Sequence, residues 1–154
     1  MVQTTGALSF TKARVFISDD VGVSWKDVTS YGASIAIGGG ERAGGEQNTY
    51  DGPIPVIKAG KRAGTTLTCR FVYTEGADPH PFETLRAVHE TDDGAIEVQY
   101  APEAGGFWYH ADAGSYLENL LYPGGEAKPG DIVMSEFVVK CASLTKASAS
   151  IAAD

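Results

Sequence analysis

Residues 65–73 read TTLTCRFVY, and this stretch decides the fold of the 154-residue chain. Leu67, Cys69, Phe71 and Tyr73 alternate with polar residues at the period of two that marks a β-strand with one buried face. Threonine, phenylalanine, valine and tyrosine, which favour strands, fill most of its positions. The stretch therefore predicts a strand over Thr65–Tyr73 within a mainly β protein.

Further apolar or alternating runs on both sides predict other strands. They occupy residues 13–18, 24–37, 95–100, 107–111, 116–122 and 131–144. Gly32 interrupts the second run in the way that a β-bulge would. No run of the sequence has the length and period of a second long helix. Strands therefore dominate the expected architecture.

One helix is predicted over Asp78–Thr91. Asp78 can cap its first turn, and the proline that follows suits the first helical position. Phe82, Leu85 and Val88 recur at helical spacing and predict the face that packs on the sheet. Six to eight strands and one helix together predict a β-sandwich or partly closed barrel, formally α+β, with the helix on its flank.

The segment preceding the central strand is too long for an ordinary turn. Residues 38–62 read GGGERAGGEQNTYDGPIPVIKAGKR, and long structureless loops within compact domains are usually functional or disordered. Because strands bracket the segment, we expect a long β-hairpin arm that orders against a neighbouring subunit. The residues expected at that interface are Glu41, Arg42, Glu46, Tyr50, Ile54, Val56, Ile57, Lys58, Lys61 and Arg62.

The length fits one domain, with arms at both ends. The predicted division is an N-terminal arm over 1–12, a β domain over 13–144 and a C-terminal arm over 145–154. The first ten residues lack the basic and apolar regions of a signal peptide, and no run approaches the roughly 18 apolar residues of a membrane span. No membrane partner is therefore expected.

The chain is acidic, with a formal net charge of −8 and a pI near 4.8. A surface of this sign repels phosphate, so specific nucleic-acid binding is disfavoured. The same acidic charge is compatible with a surface past which DNA slides without adhering. The simpler interpretation, that the charge serves solubility, stays open.

No residue pattern nominates a catalytic, cofactor or metal site, and the chain is not expected to be an enzyme. His80, His89 and His110 lack the spacing of common zinc motifs, and Gly60-Lys61-Arg62 lacks the rest of a phosphate loop. Cys69 and Cys141 lie in apolar strand-like runs, which favours buried reduced thiols, although spacing leaves a disulfide open. One alternative from a different class is a glycan-binding β-sandwich that stacks sugars on Trp108, Tyr109, Trp25 and Tyr31.

Three stretches carry a resemblance to a known family. They are SDDVGVSWKDVTSYGASIAIGGGER (18–42), TYDGPIPVIKAGKRAGTTLTCRFVYTEG (49–76) and SYLENLLYPGGEAKPGDIVMSEFVVKCASLTK (115–146). Together they resemble bacteriophage tail tube (major tail) proteins of the long, non-contractile type. An inner tube protein of a contractile tail or of a secretion system could share the fold.

The resemblance implies a structural virion protein that forms hexameric rings stacked into a hollow tube. Its partners would be copies of itself and other tail proteins such as tape measure, terminator and distal tail proteins. DNA would meet it only in transit through the lumen, and it would reside in the virion tail after assembly in the host cytoplasm. Six copies would carry 6 × 8 = 48 formal negative charges, and carboxylates facing the lumen would keep DNA from the wall.

Overall fold

A computed structural model describes residues 8, 10–20, 22–75, 81–103, 105–111 and 114–148. The strands are β1 (Arg14–Ser18), β2 (Lys26–Asp27), β3 (Gly32–Gly39), β4 (Arg42–Gln47), β5 (Val56–Arg62), β6 (Thr65–Val72), β7 (Glu97–Ala101), β8 (Trp108–Ala111), β9 (Tyr116–Gly124), β10 (Met134–Cys141) and β11 (Leu144–Ala147). One α-helix, α1 (Pro81–His89), and two 3₁₀ turns, Phe10–Lys12 and Thr29–Tyr31, complete the described elements.

The strands form two antiparallel sheets and a separate hairpin. Sheet A has the order β11-β8-β7-β1-β2, and sheet B has the order β3-β6-β10-β9. The strands β4 and β5 pair only with each other. The expected β-sandwich with one helix and a long hairpin arm is confirmed, whereas neither sheet closes into a barrel within the described part of the chain.

The core lies between the two sheets. Ile17 and Val98 reach it from sheet A, and Leu67 and Val139 reach it from sheet B, all four with no exposed surface. The predicted strand over Thr65–Tyr73 is confirmed as β6, which ends one residue earlier and alternates buried and half-buried side chains. A register shift between Gly32 and Ser34 places an irregularity where the bulge was predicted.

Strand β7 differs from the expected one-sided strand, because all five of its residues are buried. Ile96, Val98 and Tyr100 face the core as predicted, but Glu97 and Gln99 are also covered. The physical reason is that β7 lies in the middle of sheet A and the segment joining β1 to β2 folds over its other face. The alternating sequence pattern of β7 therefore suggested that its polar side faces solvent, although that side is buried.

The helix packs its predicted apolar face into the core. Phe82, Leu85 and Val88 are buried, and the Phe82 ring makes edge contacts with Tyr73 and Tyr122, at centroid distances of 5.6 and 5.4 Å. The described helix is Pro81–His89, so the predicted cap at Asp78 falls outside the described residues. At nine residues, the helix is too short to cross a membrane, and no other helix among the described residues could do so.

The first residues of the predicted C-terminal arm lie in a strand. The arm is predicted from Thr145 onward, and Leu144–Ala147 forms β11, which pairs with the edge of β8. The division into a β domain and two terminal arms remains a prediction. Residues 1–7, 9 and 149–154 lie outside the described part of the chain.

Candidate assembly interface

The arm is a continuation of the β3–β6 pair. Beyond the last β3–β6 partners, the Gly40 amide donates to the Gly64 carbonyl at 3.0 Å, and the Ala63 amide donates to the Glu41 carbonyl at 2.7 Å. The ladder then resumes with Arg42 opposite Arg62. Residues 32–72 are thus one long antiparallel hairpin, whose outer half leaves the sandwich.

Glycines create the bend where the arm leaves sheet B. Gly39 and Gly40 have φ of 75° and 72°, in the left-handed region that side chains other than glycine rarely adopt. A Cβ atom on Gly39 would also clash with the Gly64 carbonyl oxygen, and one on Gly60 would lie 2.9 Å from the Ala43 carbonyl oxygen. These close approaches fix the direction in which the arm projects.

The arm gains no burial from its own subunit. Every residue of β4 and β5 is exposed, and the two strands pair with nothing else in the described structure. An isolated two-stranded hairpin is only marginally stable in water. Apart from its continuity with the β3–β6 pair, the arm therefore has no burial within the described structure that would stabilise it.

The apolar groups of the arm are concentrated at and beside its tip. Tyr50 is fully exposed, and Ile54, Ile57 and Val56 are 79%, 75% and 57% exposed. The Thr49 hydroxyl donates to the Asp51 carbonyl at 3.0 Å, which holds the turn between them. A structured tip presenting four large apolar side chains to solvent is typical of a protein–protein interface.

The arm also differs in charge from the rest of the chain. Its four cations, Arg42, Lys58, Lys61 and Arg62, exceed its three acids, Glu41, Glu46 and Asp51, so its formal charge is 4 − 3 = +1. The remaining residues carry −8 − 1 = −9. Arg42 and Arg62 lie directly opposite each other, an unfavourable like-charge pair that an acidic partner group would relieve.

The structure brings all ten predicted interface residues together on this one hairpin. Arg42 donates from Nη1 to the Gly60 carbonyl at 3.1 Å across the two strands, and Glu46 lies opposite Ile57. Their contact with a neighbouring subunit remains a prediction.

Sheet B has two open edges, which sequence reasoning did not identify. The strand β3 forms one edge and β9 the other, where Ala95 bridges Tyr116 at the beginning of β9 and the residues after Leu117 have no strand beside them. Ile37 on β3 is 49% exposed although it pairs with the fully buried Leu67, because no strand lies beyond it. Exposed strand edges of this kind are templates for pairing with another chain. Only the strand order, which follows from long-range pairing, could reveal them.

The face of sheet B that points away from the core carries mostly uncharged side chains. Across the sheet its registered rows are Ser34–Arg70–Glu136–Leu121, Ala36–Thr68–Val138–Asn119 and Gly38–Thr66–Lys140–Tyr116. Arg70 and Glu136 lie 3.8 Å apart, with half-exposed to exposed side chains. The rows carry two cations and one acid, so this face is close to charge balance.

The two cysteines form no disulfide, in line with the preferred interpretation. Cys69 and Cys141 are both buried on the core face of sheet B. Burial, with a smaller contribution from Glu136, raises the pKa of the Cys69 thiol from 9.0 to about 12. The thiol is therefore protonated at neutral pH and unsuited to nucleophilic chemistry.

The aromatic residues proposed for sugar stacking are not an exposed platform. Trp108 is buried and stacks on Phe16 at a centroid distance of 5.3 Å, while Tyr109 stacks on Tyr100 at 5.6 Å. Trp25 packs edge-on against His110 at 5.5 Å. These aromatic rings stabilise both faces of sheet A, and the glycan-binding alternative loses the feature that suggested it.

His110 and Glu97 form a nearly buried acid–base pair on sheet A. His110 Nε2 lies 3.8 Å from Glu97 Oε1. Within the described ranges, no three His, Cys, Asp or Glu side chains are grouped to hold a metal ion. His80 lies outside these ranges.

Neither a protein-family model nor a curated protein matches the chain. Solved structures do match over nearly its whole length. A chain of the sheath–tube complex of an extracellular contractile injection system (PVC), in the extended state, superposes with a TM-score of 0.64 at 12% identity and covers 95% of each chain. A chain of the anti-feeding prophage cap (AFP tube terminating cap) superposes with a TM-score of 0.65 at 13% identity, covering 97% of this chain and 96% of the other.

A third match comes from the sheath/tube terminator of the PVC system. Its TM-score is 0.65 at 13% identity, covering 94% of this chain and 99% of the other. At these identities the likeness establishes a shared fold. Two of these matches come from an extracellular contractile injection system and one from the anti-feeding prophage cap, so the long non-contractile tail implied by the sequence resemblance receives no support from them.

Proposed function

We propose that this chain is a structural subunit of a phage-tail-like particle, in which hexameric rings of it stack into a hollow tube. One observation carries the proposal: a preformed hairpin arm projects from the sandwich with its apolar residues exposed and without a partner strand. Such an arm has a physical reason to exist only in an assembly. The shared fold with chains from tube and terminator complexes supports this role over an enzymatic one.

The open edges of sheet B provide the contacts within a ring. If β3 of one copy pairs with β9 of the next, six four-stranded sheets join into one closed barrel of 6 × 4 = 24 strands. Closure removes both exposed edges, and with them the risk of uncontrolled aggregation. The arm then supplies contacts to further copies in the same ring or the next one.

In this arrangement the outward rows of sheet B would line the lumen. They contain mostly short or uncharged side chains, with Arg70 and Lys140 balanced in part by Glu136. These rows therefore do not form the acidic lumen surface that the net charge led us to expect, and most of the carboxylates lie elsewhere in the protein. Low charge and few bulky groups would still allow DNA to pass without a fixed binding site, which keeps DNA in transit as the proposed cargo.

The contractile class is the tail type that we propose. The solved structures sharing the fold come from contractile injection systems and the anti-feeding prophage, whereas no comparison favours a long non-contractile tail. Partners would be further copies of the chain, together with a terminator and other tail proteins, in a particle assembled in the host cytoplasm.

Deletion of residues 43–58 tests this proposal. The variant should remain a folded monomer, because β4 and β5 contribute nothing to the core, but it should no longer form tubes. Negative-stain microscopy at high protein concentration, with circular dichroism as a check of the fold, measures both. Asn48→Ala, on the same arm but removing no apolar group, is the matched control and should form tubes. Normal tubes from the deletion variant would refute the proposal.

A further inference from the structure

Only part of the β9 edge of sheet B is open to another strand. Ala95 bridges Tyr116, and the Leu117 amide donates to the Gly94 carbonyl at 2.8 Å, so the beginning of β9 already has a neighbour in its own copy. Residues 118–124, the last seven of β9, have no strand beside them in the described structure. A strand from a second copy that pairs with this edge must therefore stop before Leu117.

The β3 edge of sheet B has a matching length and a matching end. It spans eight residues, Gly32–Gly39, and the positive φ of Gly39 and Gly40 turns the chain out of the sheet at the base of the arm. Every neighbouring pair in sheet B is antiparallel, so the first strand of the order, β3, runs opposite to the fourth, β9. Rotation about a ring axis keeps this relation, so β3 of one copy meets β9 of the next as an antiparallel pair. The bend at Gly39 then comes to the beginning of β9, where Ala95 ends the free edge.

The two faces of the sheet select the register of this pair. Ile37 on β3 and Leu120 on β9 both belong to the core face, since their partners within the sheet are buried core residues. Because a shift of one residue turns every side chain to the other face, a continuous sheet requires core-facing residues to lie opposite each other. Ile37 opposite Leu120 meets this requirement and places Gly39 opposite Glu118, the first free residue of β9.

Registers shifted in either direction use the open edge less well. The next register with matched faces places Gly39 opposite Tyr116, a position that Ala95 already occupies. The shift in the other direction places Gly39 opposite Leu120 and leaves the first two free residues of β9 without a partner strand. The register with Gly39 opposite Glu118 therefore pairs the two edges most completely.

This register also covers apolar side chains that both edges leave exposed. Ile37 is 49% exposed on β3, and Leu121 and Tyr122 are 48% and 61% exposed on β9. Ala36 comes to lie opposite Leu121. Ile35 comes to lie opposite Tyr122, a β-branched and aromatic cross-strand pair of the kind that stabilises antiparallel sheets. The exposed apolar groups of the two edges thus become partners of each other.

The same pairing brings opposite charges together at the base of the arm. Arg42 and Arg62 lie opposite each other and are both exposed. Arg42 lies three residues beyond the end of β3, which is about 10 Å at roughly 3.3 Å per residue. On the neighbouring copy, Asp92 and Asp93 are exposed in the turn that leads to the blocked end of β9. This turn therefore offers two carboxylates to the like-charged arginine pair.

We propose that β3 of one copy pairs with residues 118–124 of the next in this register, that Ala95 of the next copy ends the pairing at the arm bend, and that Arg42 and Arg62 contact its Asp92–Asp93 turn. The inference rests on the proposed function as a ring-forming tube subunit, and it specifies the residues of the ring contact. It also gives a reason for the bend at the base of the arm, since the arm leaves the sheet where the neighbour's edge is already occupied.

Disulfide cross-linking in assembled rings tests the register. Proteins carrying Ala36→Cys and Leu121→Cys are mixed, assembled, oxidised and separated on a non-reducing denaturing gel. A covalent dimer is expected from the mixture and from neither variant alone, because the native Cys69 and Cys141 are buried. Cβ atoms of directly opposite residues lie about 4.5–5.5 Å apart, close to the span of a disulfide, whereas diagonal neighbours lie about 7–8 Å apart. Ala36→Cys mixed with Asn119→Cys, two residues out of register, is the matched control and should yield about a tenth of the dimer.

The possible results of this experiment separate the inference from the proposed function. More dimer from the control mixture than from the in-register mixture would overturn the register. Intact tubes that yield no dimer from either mixture would overturn the pairing of β3 with β9. Both results leave the proposed function standing, whereas absence of rings and tubes from the wild-type protein would refute the proposed function and this inference with it.

Charge reversal at the base of the arm gives an independent measurement. Arg62→Glu and Asp92→Lys should each raise the protein concentration required for assembly about fivefold, and the double variant should recover most of that loss. Within a single copy, Arg62→Glu replaces the repulsion from Arg42 by attraction, so charges that act only within the arm predict easier assembly. Glu103→Lys, in the turn between β7 and β8 of sheet A, is the matched control and should leave assembly unchanged. Easier assembly of Arg62→Glu, or no recovery in the double variant, would contradict the contact.

Discussion

Individual side chains on the outer face of sheet A form a second, smaller core. Phe16 stacks on Trp108, Arg14 lies over the Phe16 ring at 5.0 Å, and Glu97 is covered next to His110. Asp20 holds the loop above them, because it accepts hydrogen bonds from the Ser24 hydroxyl at 2.5 Å, the Ser24 amide at 2.8 Å and the Ser18 hydroxyl at 2.7 Å. These hydrogen bonds lower the pKa of the Asp20 carboxyl to about 2, so the loop keeps this anchor at all but strongly acidic pH.

The burial of Trp108 leads to a prediction about stability. Trp108→Ala should lower the free energy of unfolding by about 3–5 kcal/mol, since a large ring is lost from a packed site. Chemical denaturation monitored by circular dichroism measures the effect. Phe107→Ala is the matched control: its side chain is 55% exposed, and the expected loss is about 0.5 kcal/mol. Equal losses in the two variants would show that Trp108 is not a core residue.

Among the structural elements, the β3–β6 hairpin is the one with two roles. Its inner half forms the centre and one edge of sheet B, and its outer half is the arm. The two halves share a continuous ladder and differ in direction only because of the bend at Gly39 and Gly40. The direction of the arm can therefore be changed without unfolding the sandwich.

Substitution at this bend should uncouple folding from assembly. Gly39→Ala places a side chain at positive φ, at a cost of about 1–3 kcal/mol, and against the Gly64 carbonyl, so the arm should be displaced and tube formation lost. The melting temperature should fall by only a few degrees. Electron microscopy and thermal melts measure the two effects. Gly38→Ala is the control, because Gly38 has open space around its missing Cβ, and its tubes should be normal. Normal tubes from both variants would contradict this role of the bend.

At the scale of the whole molecule, the open edges of sheet B control how copies associate. Ile37→Lys places a charge on the exposed side of β3, which should block edge-to-edge pairing while the monomer stays folded. Sedimentation velocity should find monomers at concentrations at which the wild-type protein forms rings or tubes. Val23→Lys also replaces a β-branched apolar residue by lysine, at a site that is 83% exposed and lies between β1 and β2, outside sheet B, so assembly should persist. Rings formed normally by Ile37→Lys would exclude β3 from the ring interface.

Local sequence pattern predicted the central strand, the helix and the arm. The alternation in TTLTCRFVY predicted β6, the spacing of Phe82, Leu85 and Val88 predicted the buried face of α1, and the glycines and apolar residues of 38–62 predicted an arm. These predictions succeed because the periodicity of a strand or an amphipathic helix is visible in the sequence within about ten residues.

Only the tertiary structure decided how those elements meet. Glu97 and Gln99 are buried because both faces of β7 are covered. This burial, the pairing of β11 with β8 and the edges of sheet B all depend on which distant strands become neighbours. The same is true of charge: the net −8 follows from composition, but the near balance of the outward face of sheet B follows from register. Residues far apart in the chain determine these features together, so the periodicity of a short stretch of sequence cannot predict them.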